Sequence, residues 1–286
     1  MSSGRKIVMC ADDFGHSEDV DVAVIDLAER GRLTAAGCMV GGPAFAADAP
    51  RLVALADRID MGLHFALTDF LPLGPMPGLT DGARPPSLKT VLTRALTGRL
   101  PYEEIKAEIG RQVGRFREIT GRDPDFVDGH QHVHVFPTVR AALFACFDEG
   151  VLDARRTWLR DCAESPIAAI RRGIEVPKVL FISALSAGFG RAARRRGIRV
   201  NDGFRGITAF DPAQVERLFP KFLEGEGRAP LVMCHPATTA IPAPAGDPIA
   251  AARRAEWAYL ASERFAADLA RAEVSPARPS TVFANA

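Results

Sequence analysis

The 286-residue sequence predicts a single-domain α/β fold built on a parallel sheet or barrel. Short apolar runs such as Lys6–Ala11 and Pro230–Cys234 stop abruptly at polar residues, the pattern of strands buried on both faces. The N-terminal part alternates strand and helix patterns in a βαβαβ order, which favours parallel pairing. No fixed-period repeat, low-complexity tract or clear domain boundary interrupts the chain, and its length lies near the upper limit of one core.

Lys6–Ala11 predicts the first strand, stopping at Asp12-Asp13-Phe14-Gly15. Ser17, followed by Glu18 and Asp19, caps a helix that runs to about Arg30-Gly31. Leu33–Val40 reads as the second strand, closed by Gly41-Gly42-Pro43, and the alanine-rich stretch Ala44–Ala56 as a helix. Ile59–Leu63 is the third strand and delivers His64. Residues 69–88 carry five prolines among glycines and predict a long excursion over the mouth of a site. Ile105, Ile109, Val113 and Phe116 predict a helix over Tyr102–Thr120, with Pro101 at its start. Asp125-Phe126-Val127 then leads into a histidine cluster, and Pro137–Phe147 is a helix closed by Gly150. Beyond residue 151 the pattern weakens. Arg156–Arg160 and Gly197–Asp202 read as short strands, Val179-Leu180-Phe181 as a further apolar piece, and Gly190–Arg196 as a solvated basic helix face. Pro230–Cys234 is a buried strand that delivers His235-Pro236; one last helix, Ile249–Ala272, completes a core of about residues 5–272, with a peripheral tail from Ser275.

Lys plus Arg (36) nearly cancels Asp plus Glu (35), so at +1 the whole chain projects no field toward nucleic acid or an anionic membrane. Five cysteines without CxxC spacing exclude a disulfide scaffold or structural zinc site and fit reduced, cytoplasmic thiols. Residues 1–6 lead into no signal-like apolar region, and no run approaches the roughly 18 apolar residues of a transmembrane helix, so a soluble, unexported protein is expected.

Three of the six histidines fall within Asp128-Gly129-His130-Gln131-His132-Val133-His134, a density that suggests metal chemistry. Four apolar runs end in chemically capable residues: Asp12-Asp13, His64, this cluster, and His235. In parallel α/β folds the carboxyl ends of strands open on one face, so these distant residues can meet. A carboxylate with two imidazoles suits a divalent ion, zinc best. One aspartate of the pair then stays free as general base, and His235 can protonate a leaving amine. Taken singly, an aspartate pair is often only a loop start or cap, and a lone histidine a satisfied core residue.

Ala11-Asp12-Asp13-Phe14-Gly15, Gly62-Leu63-His64, the segment Asp128–His134 and Met233-Cys234-His235-Pro236 together resemble the YdjC-like carbohydrate deacetylases, which include chitooligosaccharide and hopanoid-associated deacetylases. The resemblance spans roughly residues 5–265. It implies an irregular (β/α) barrel and metal-dependent removal of acetyl from an N-acetylated sugar, chitooligosaccharide-like or lipid-linked. It also implies Asp13, His64 and His130 as metal ligands, Asp12 as base and His235 as acid. Many relatives carry Asp-Ser-His-His-His-Val-His where this chain has Gly129 and Gln131, and neither change removes a proposed ligand. Asn201-Asp202-Gly203-Phe204 fits a substrate-side loop, making Asp202 and Phe204 substrate contacts. His132 and His134 are expected beside the ligands or against substrate, because alternate residues of an extended segment face one side. Expected partners are a divalent metal, zinc first with magnesium as the alternative, and an N-acetylated sugar or glycolipid, with homodimerisation left open and no nucleic acid. Two rival readings are a metal-holding sugar-binding protein without turnover and a metal-dependent phosphoesterase. Neither a Gly-rich phosphate loop nor an arginine cluster near the motifs supports the second.

Overall fold

Strand β1 (Arg5–Phe14) is the axis of the sheet, and its residues Ile7–Ala11 are wholly buried. A computed structural model describes residues 4–225 and 227–283. β1 pairs in parallel with β2 (Ala35–Cys38) on one side and with β7 (Leu231–Cys234) on the other. Outward from β2 follow β3 (Asp60–Phe65), β4 (Phe126–Gly129) and β5 (Trp158–Leu159), and outside β7 lies β6 (Phe204–Arg205). Every ladder is parallel, so each connection must cross over the sheet, and helices do this. The two outer strands approach through one isolated bridge, Leu159 to Val200, where Leu159 N–H donates to the Arg199 carbonyl (2.9 Å). The result is the expected irregular (β/α) barrel, open along one seam.

The helices are α1 (Glu18–Glu29), α2 (Phe45–Val53), α3 (Leu88–Leu96), α4 (Tyr102–Thr120) and α5 (Pro137–Asp148). After β5 come α6 (Pro166–Arg172), α7 (Val176–Leu185) and α8 (Phe189–Arg195), and α9 (Val215–Leu223) precedes β7. Then follow α10 (Ala250–Ala261), α11 (Glu263–Arg271) and α12 (Pro279–Val282). No helix among the described residues is long and apolar enough to cross a membrane.

Several expectations are corrected. β1 continues through Asp12 and Asp13 to Phe14, and the second and fifth strands are shorter than Leu33–Val40 and Arg156–Arg160. Val179-Leu180-Phe181 lies inside α7. Gly197–Asp202 supplies only the Val200 bridge, and true pairing begins at Phe204. The final helix is broken at Ser262, whose extended backbone ends α10 and whose hydroxyl caps α11 at Phe265 N–H. The tail is not peripheral. Strand β8 (Val274–Pro276) pairs with the start of β1, Ser280 and Arg278 bond the wholly buried Asp60, and Phe283 packs edge-on against Trp158 (5.3 Å).

Candidate active site

The register of the sheet brings Asp12 and Asp13 of β1, His64 of β3 and the end of β4 to one rim. His64 pairs with Asp128 in the ladder, and their side chains meet as well: Nδ1 lies 2.6 Å from Asp128 Oδ1. That contact aims Nε2 at Asp13 Oδ1, 3.4 Å away. Room for the ring comes from Gly37 on the neighbouring strand, where a Cβ would sit 3.0 Å from His64 Nδ1. His130 Nδ1 lies 3.0 Å from the same Asp13 oxygen, and its Nε2 is 2.7 Å from Asp69 Oδ2. Asp69 therefore ties the start of the 69–88 excursion to the site. Asp13 itself is held at φ 70, an unusual conformation for a residue with a side chain.

Asp13, His64 and His130 are all buried, and one donor atom from each lies within 4.8 Å of the others. Tetrahedral zinc with bonds near 2.1 Å requires donors roughly 3.4 Å apart, so separations of 3.0 and 3.4 Å fit such an ion with little movement. A second cluster, Cys10, Asp12 and Asp128, has similar spacing. A guanidinium already fills it. Arg160 bonds Asp12 through two nitrogens (2.5 and 2.8 Å), and reaches Asp128 Oδ2 (2.6 Å) and Cys10 Sγ (3.0 Å).

Asp12 is not among the ligand trio, and faces His64 Nε2 at 4.0 Å and His235 Nε2 at 3.9 Å. His235 extends from the end of β7, its N–H donating to Glu256 (2.5 Å) and its ring edge-on to Phe210 (5.2 Å). A second guanidinium, Arg253 of α10, bonds Asp13 Oδ2 (2.6 Å) and Asp247 (3.0 Å). The sequence shows no dedicated arginine cluster near the motifs, and the fold brings these two buried arginines to them from distant segments. Both are engaged by carboxylates, which leaves neither free to grip a phosphate.

The remaining predicted contacts separate. The histidine segment is a kinked turn with left-handed backbone at Gln131 (φ 53) and His132 (φ 62), so alternation along an extended strand does not apply. His132 stays half-buried, edge-on to Phe204 (5.5 Å), whose ring also lies 5.7 Å from the Arg160 guanidinium carbon. His134 turns inward, wholly buried, with Nε2 3.0 Å from the Arg160 carbonyl and its ring against Phe189. Asp202 is exposed, accepts from Arg228 N–H (3.1 Å) and lines a separate surface cavity. Sequence reasoning missed Arg160, Arg253 and Asp69 as parts of the site.

Electrostatics follow from this placement. Four carboxylates, Asp12, Asp13, Asp69 and Asp128, converge with only two guanidiniums, and one of these is shared with Asp247. Burial works against charge on His64, but Asp128 and Asp12 outweigh it and push its pKa up to about 10. Burial likewise opposes His130, and Asp13 and Asp69 raise it to about 9. Burial would raise Asp12, yet Arg160 and the histidines hold it below the usual carboxylate range. His235 is pushed down to about 4, mainly by burial, and is neutral near pH 7.

The family model for YdjC-like proteins matches residues 6–271. A chitooligosaccharide deacetylase from Klebsiella pneumoniae (strain 342) is 30% identical over 233 residues, which is 82% of each chain. Another from Escherichia fergusonii is 39% identical over 136 residues, but that match spans only 47% of this chain and about half (52%) of the relative. In fold, the chain is similar to an Enterococcus faecalis V583 protein described as a candidate for cellobiose-phosphate cleavage (TM-score 0.70, 19% identity, 98% of this chain and 100% of the other). It is also similar to the Xyl-CE4 domain of a multidomain xylanase from the hindgut metagenome of Trinervitermes trinervoides (TM-score 0.50, 9% identity, 99% and 91%). With its motifs converging on one rim and the family model covering nearly its whole length, this chain belongs to the YdjC-like family.

Proposed function

We propose that this chain is a metal-dependent hydrolase that removes acetyl from an N-acetylated sugar, either a chitooligosaccharide, as its Klebsiella pneumoniae relative is named for, or a lipid-linked N-acetylglucosamine. One observation carries the reading: Asp13, His64 and His130 present three buried donors to one point, while Asp12 and His235 stand beside them outside that set. Asp13, His64 and His130 would hold a divalent ion, zinc first on the mixed nitrogen and oxygen donors, magnesium second. When bound, such an ion supplies Lewis acidity to a water and to the acetyl carbonyl.

The protein's own groups do the rest. Asp12, kept ionised by Arg160, takes a proton from the attacking water as the water oxygen bonds to the acetyl carbon. Pairing with Arg160 weakens Asp12 as a base, so it holds that proton only briefly. Neutral His235 is 3.9 Å away and can receive it. From His235 the proton passes to the departing nitrogen as the C–N bond breaks, giving acetate and an amino sugar. Half-buried His132 lines the sugar's approach in this reading; Phe204, expected as a substrate contact, is wholly buried and backs the His132 ring instead. Tight pairing of Arg160 and Arg253 with aspartates disfavours phosphoester hydrolysis. Action in the cytoplasm completes the proposal.

The test is acetate release from N-acetylated mono-, di- and lipid-linked sugars by zinc-loaded protein. Asp12→Asn and His235→Gln should lower kcat roughly 10²- to 10⁴-fold with bound zinc unchanged. Zinc retained with no acetate from any of these substrates would leave a binding protein in place of an enzyme.

A further inference from the structure

We propose that α6 and α7, together with the basic α8, form a docking surface for an anionic lipid bilayer. Helix α7 has one charged residue in ten, Lys178. Val179 and Ile182 face the core, yet Pro177, Phe181 and Ala184 are exposed at spacings of four and three, an apolar stripe on the solvent side. Helix α6, packed against α7, adds Ile167 and Ile170, at 63% and 62% exposure the most open large apolar side chains described, and Phe181 is 46% exposed. A surface helix that is apolar toward both core and solvent needs a cover.

Charge selects the cover. Residues 165–196 hold seven basic side chains and one acidic, Glu175, a net +6 within a chain whose total is +1. Arg171, Arg191, Arg194 and Arg195 have no acidic partner among the described residues. Apolar and charged groups share one place: a cavity of about 1040 Å³ is lined by Ile167 and Ala168 together with Arg171, Arg172, Arg194 and Lys221, and also by the acidic Asp161, Glu164, Asp202 and Glu224. Exposed apolar side chains beside Arg171, Arg191, Arg194 and Arg195, the four cations without an acidic partner, fit the headgroup boundary of an anionic bilayer. A second copy of this chain fits badly, since a two-fold contact would set +6 against +6.

The surface also borders the site. Lys178 Nζ bonds the Thr208 carbonyl (3.2 Å) and lies over Phe210 (5.2 Å), the ring packed on His235; Phe181 follows one turn later on the same face of α7. A docked bilayer would thus lie beside the proposed catalytic groups. The docking itself does not depend on that reading.

Co-sedimentation of the full chain with vesicles separates the outcomes. Binding is expected to equimolar phosphatidylglycerol and phosphatidylcholine, not to phosphatidylcholine alone, and should fall as salt rises. Each arginine removed should weaken partitioning about 5-fold, so R171S/R194S should lose about 25-fold. Phe181→Ser with Ile170→Ser should cost about 10-fold or more even at low salt. Both variants should keep the wild-type circular dichroism and the wild-type acetate release from soluble sugars. Equal binding to neutral vesicles, no binding, or displacement by millimolar inorganic phosphate would each overturn the proposal. So would a solution dimer that Phe181→Ser with Ile170→Ser converts to monomer.

Discussion

Arg160→Met is the most informative single change, because one wholly buried guanidinium holds two buried carboxylates apart. Its bonds to Asp12 and its 2.6 Å contact with Asp128 would vanish, and a side chain of similar length but no charge would take the space. Removing one partner of a buried ion pair costs about 3–5 kcal/mol, since the orphaned charge stays desolvated. Against a total stability of about 5–15 kcal/mol this is a large fraction, and at about 2–4 °C per kcal/mol it lowers Tm by roughly 6–20 °C. The assay is thermal and urea unfolding of metal-free protein at pH 7, with R160M/D128N alongside. Neutralising Asp128 in the double variant should recover at least about 1 kcal/mol, because one of the stranded charges is gone. Asp12, now held below the usual range, contributes stability that is present above the ordinary carboxylate pKa and is lost as pH falls through its own lower value. The variant should therefore lose most of its advantage near neutrality and little in strong acid. A cost below about 1 kcal/mol, with no recovery in the double variant, would refute the view that Arg160 is the counter-ion of this cluster.

Four further outcomes are expected. Asp128→Asn removes the carboxylate that orients His64 and should weaken zinc binding about 10- to 100-fold, read by competition with a chelating dye. His64 and His130, raised to about 10 and about 9, carry protons at pH 7 in metal-free protein, so calorimetry in buffers of different ionisation heat should show release of about two protons on zinc binding, fading above pH 10. The same raised values stabilise metal-free protein fully below about pH 6.5, a contribution lost as pH rises through 9 and 10, so unfolding of that form should be easier at pH 10 than at pH 6. Gly37→Ala puts a methyl 3.0 Å from His64 Nδ1 and should lower zinc affinity while leaving the circular dichroism of the barrel unchanged; undiminished affinity would show that the ring has room to move.

The parallel strands were legible because strands buried on both faces are written as unbroken apolar runs, as Ile7–Ala11 and Leu231–Cys234 are. Asp12, Asp13, His64 and His130 were legible for a related reason: each lies at or just beyond such a run, and runs of one sheet end on one rim. What lacked a signal was set by contacts between distant segments. Arg160 stands 148 positions from Asp12, and Arg253 stands 240 from Asp13, so nothing local distinguishes either from a solvated arginine. The histidine turn was misread because alternation was assumed where Gln131 and His132 adopt left-handed backbone, which sends His134 into the core. The tail was misread because β8 is only three residues long and is held by pairing to β1, not by its own pattern.

The arginines also explain why, of the carboxylates gathered here, Asp13 is the one with an oxygen turned toward both His64 and His130. Arg160 neutralises the Cys10, Asp12 and Asp128 cluster, and Arg253 takes the outer oxygen of Asp13. The inner oxygen of Asp13, facing both imidazoles, and Asp69, facing His130 alone, remain without a guanidinium partner. In metal-free protein, protons on His64 and His130 make up that deficit, and a dication could replace both without disturbing either guanidinium. Asp12 keeps its arginine throughout, which in the proposed reaction leaves it to handle protons beside Asp13, His64 and His130.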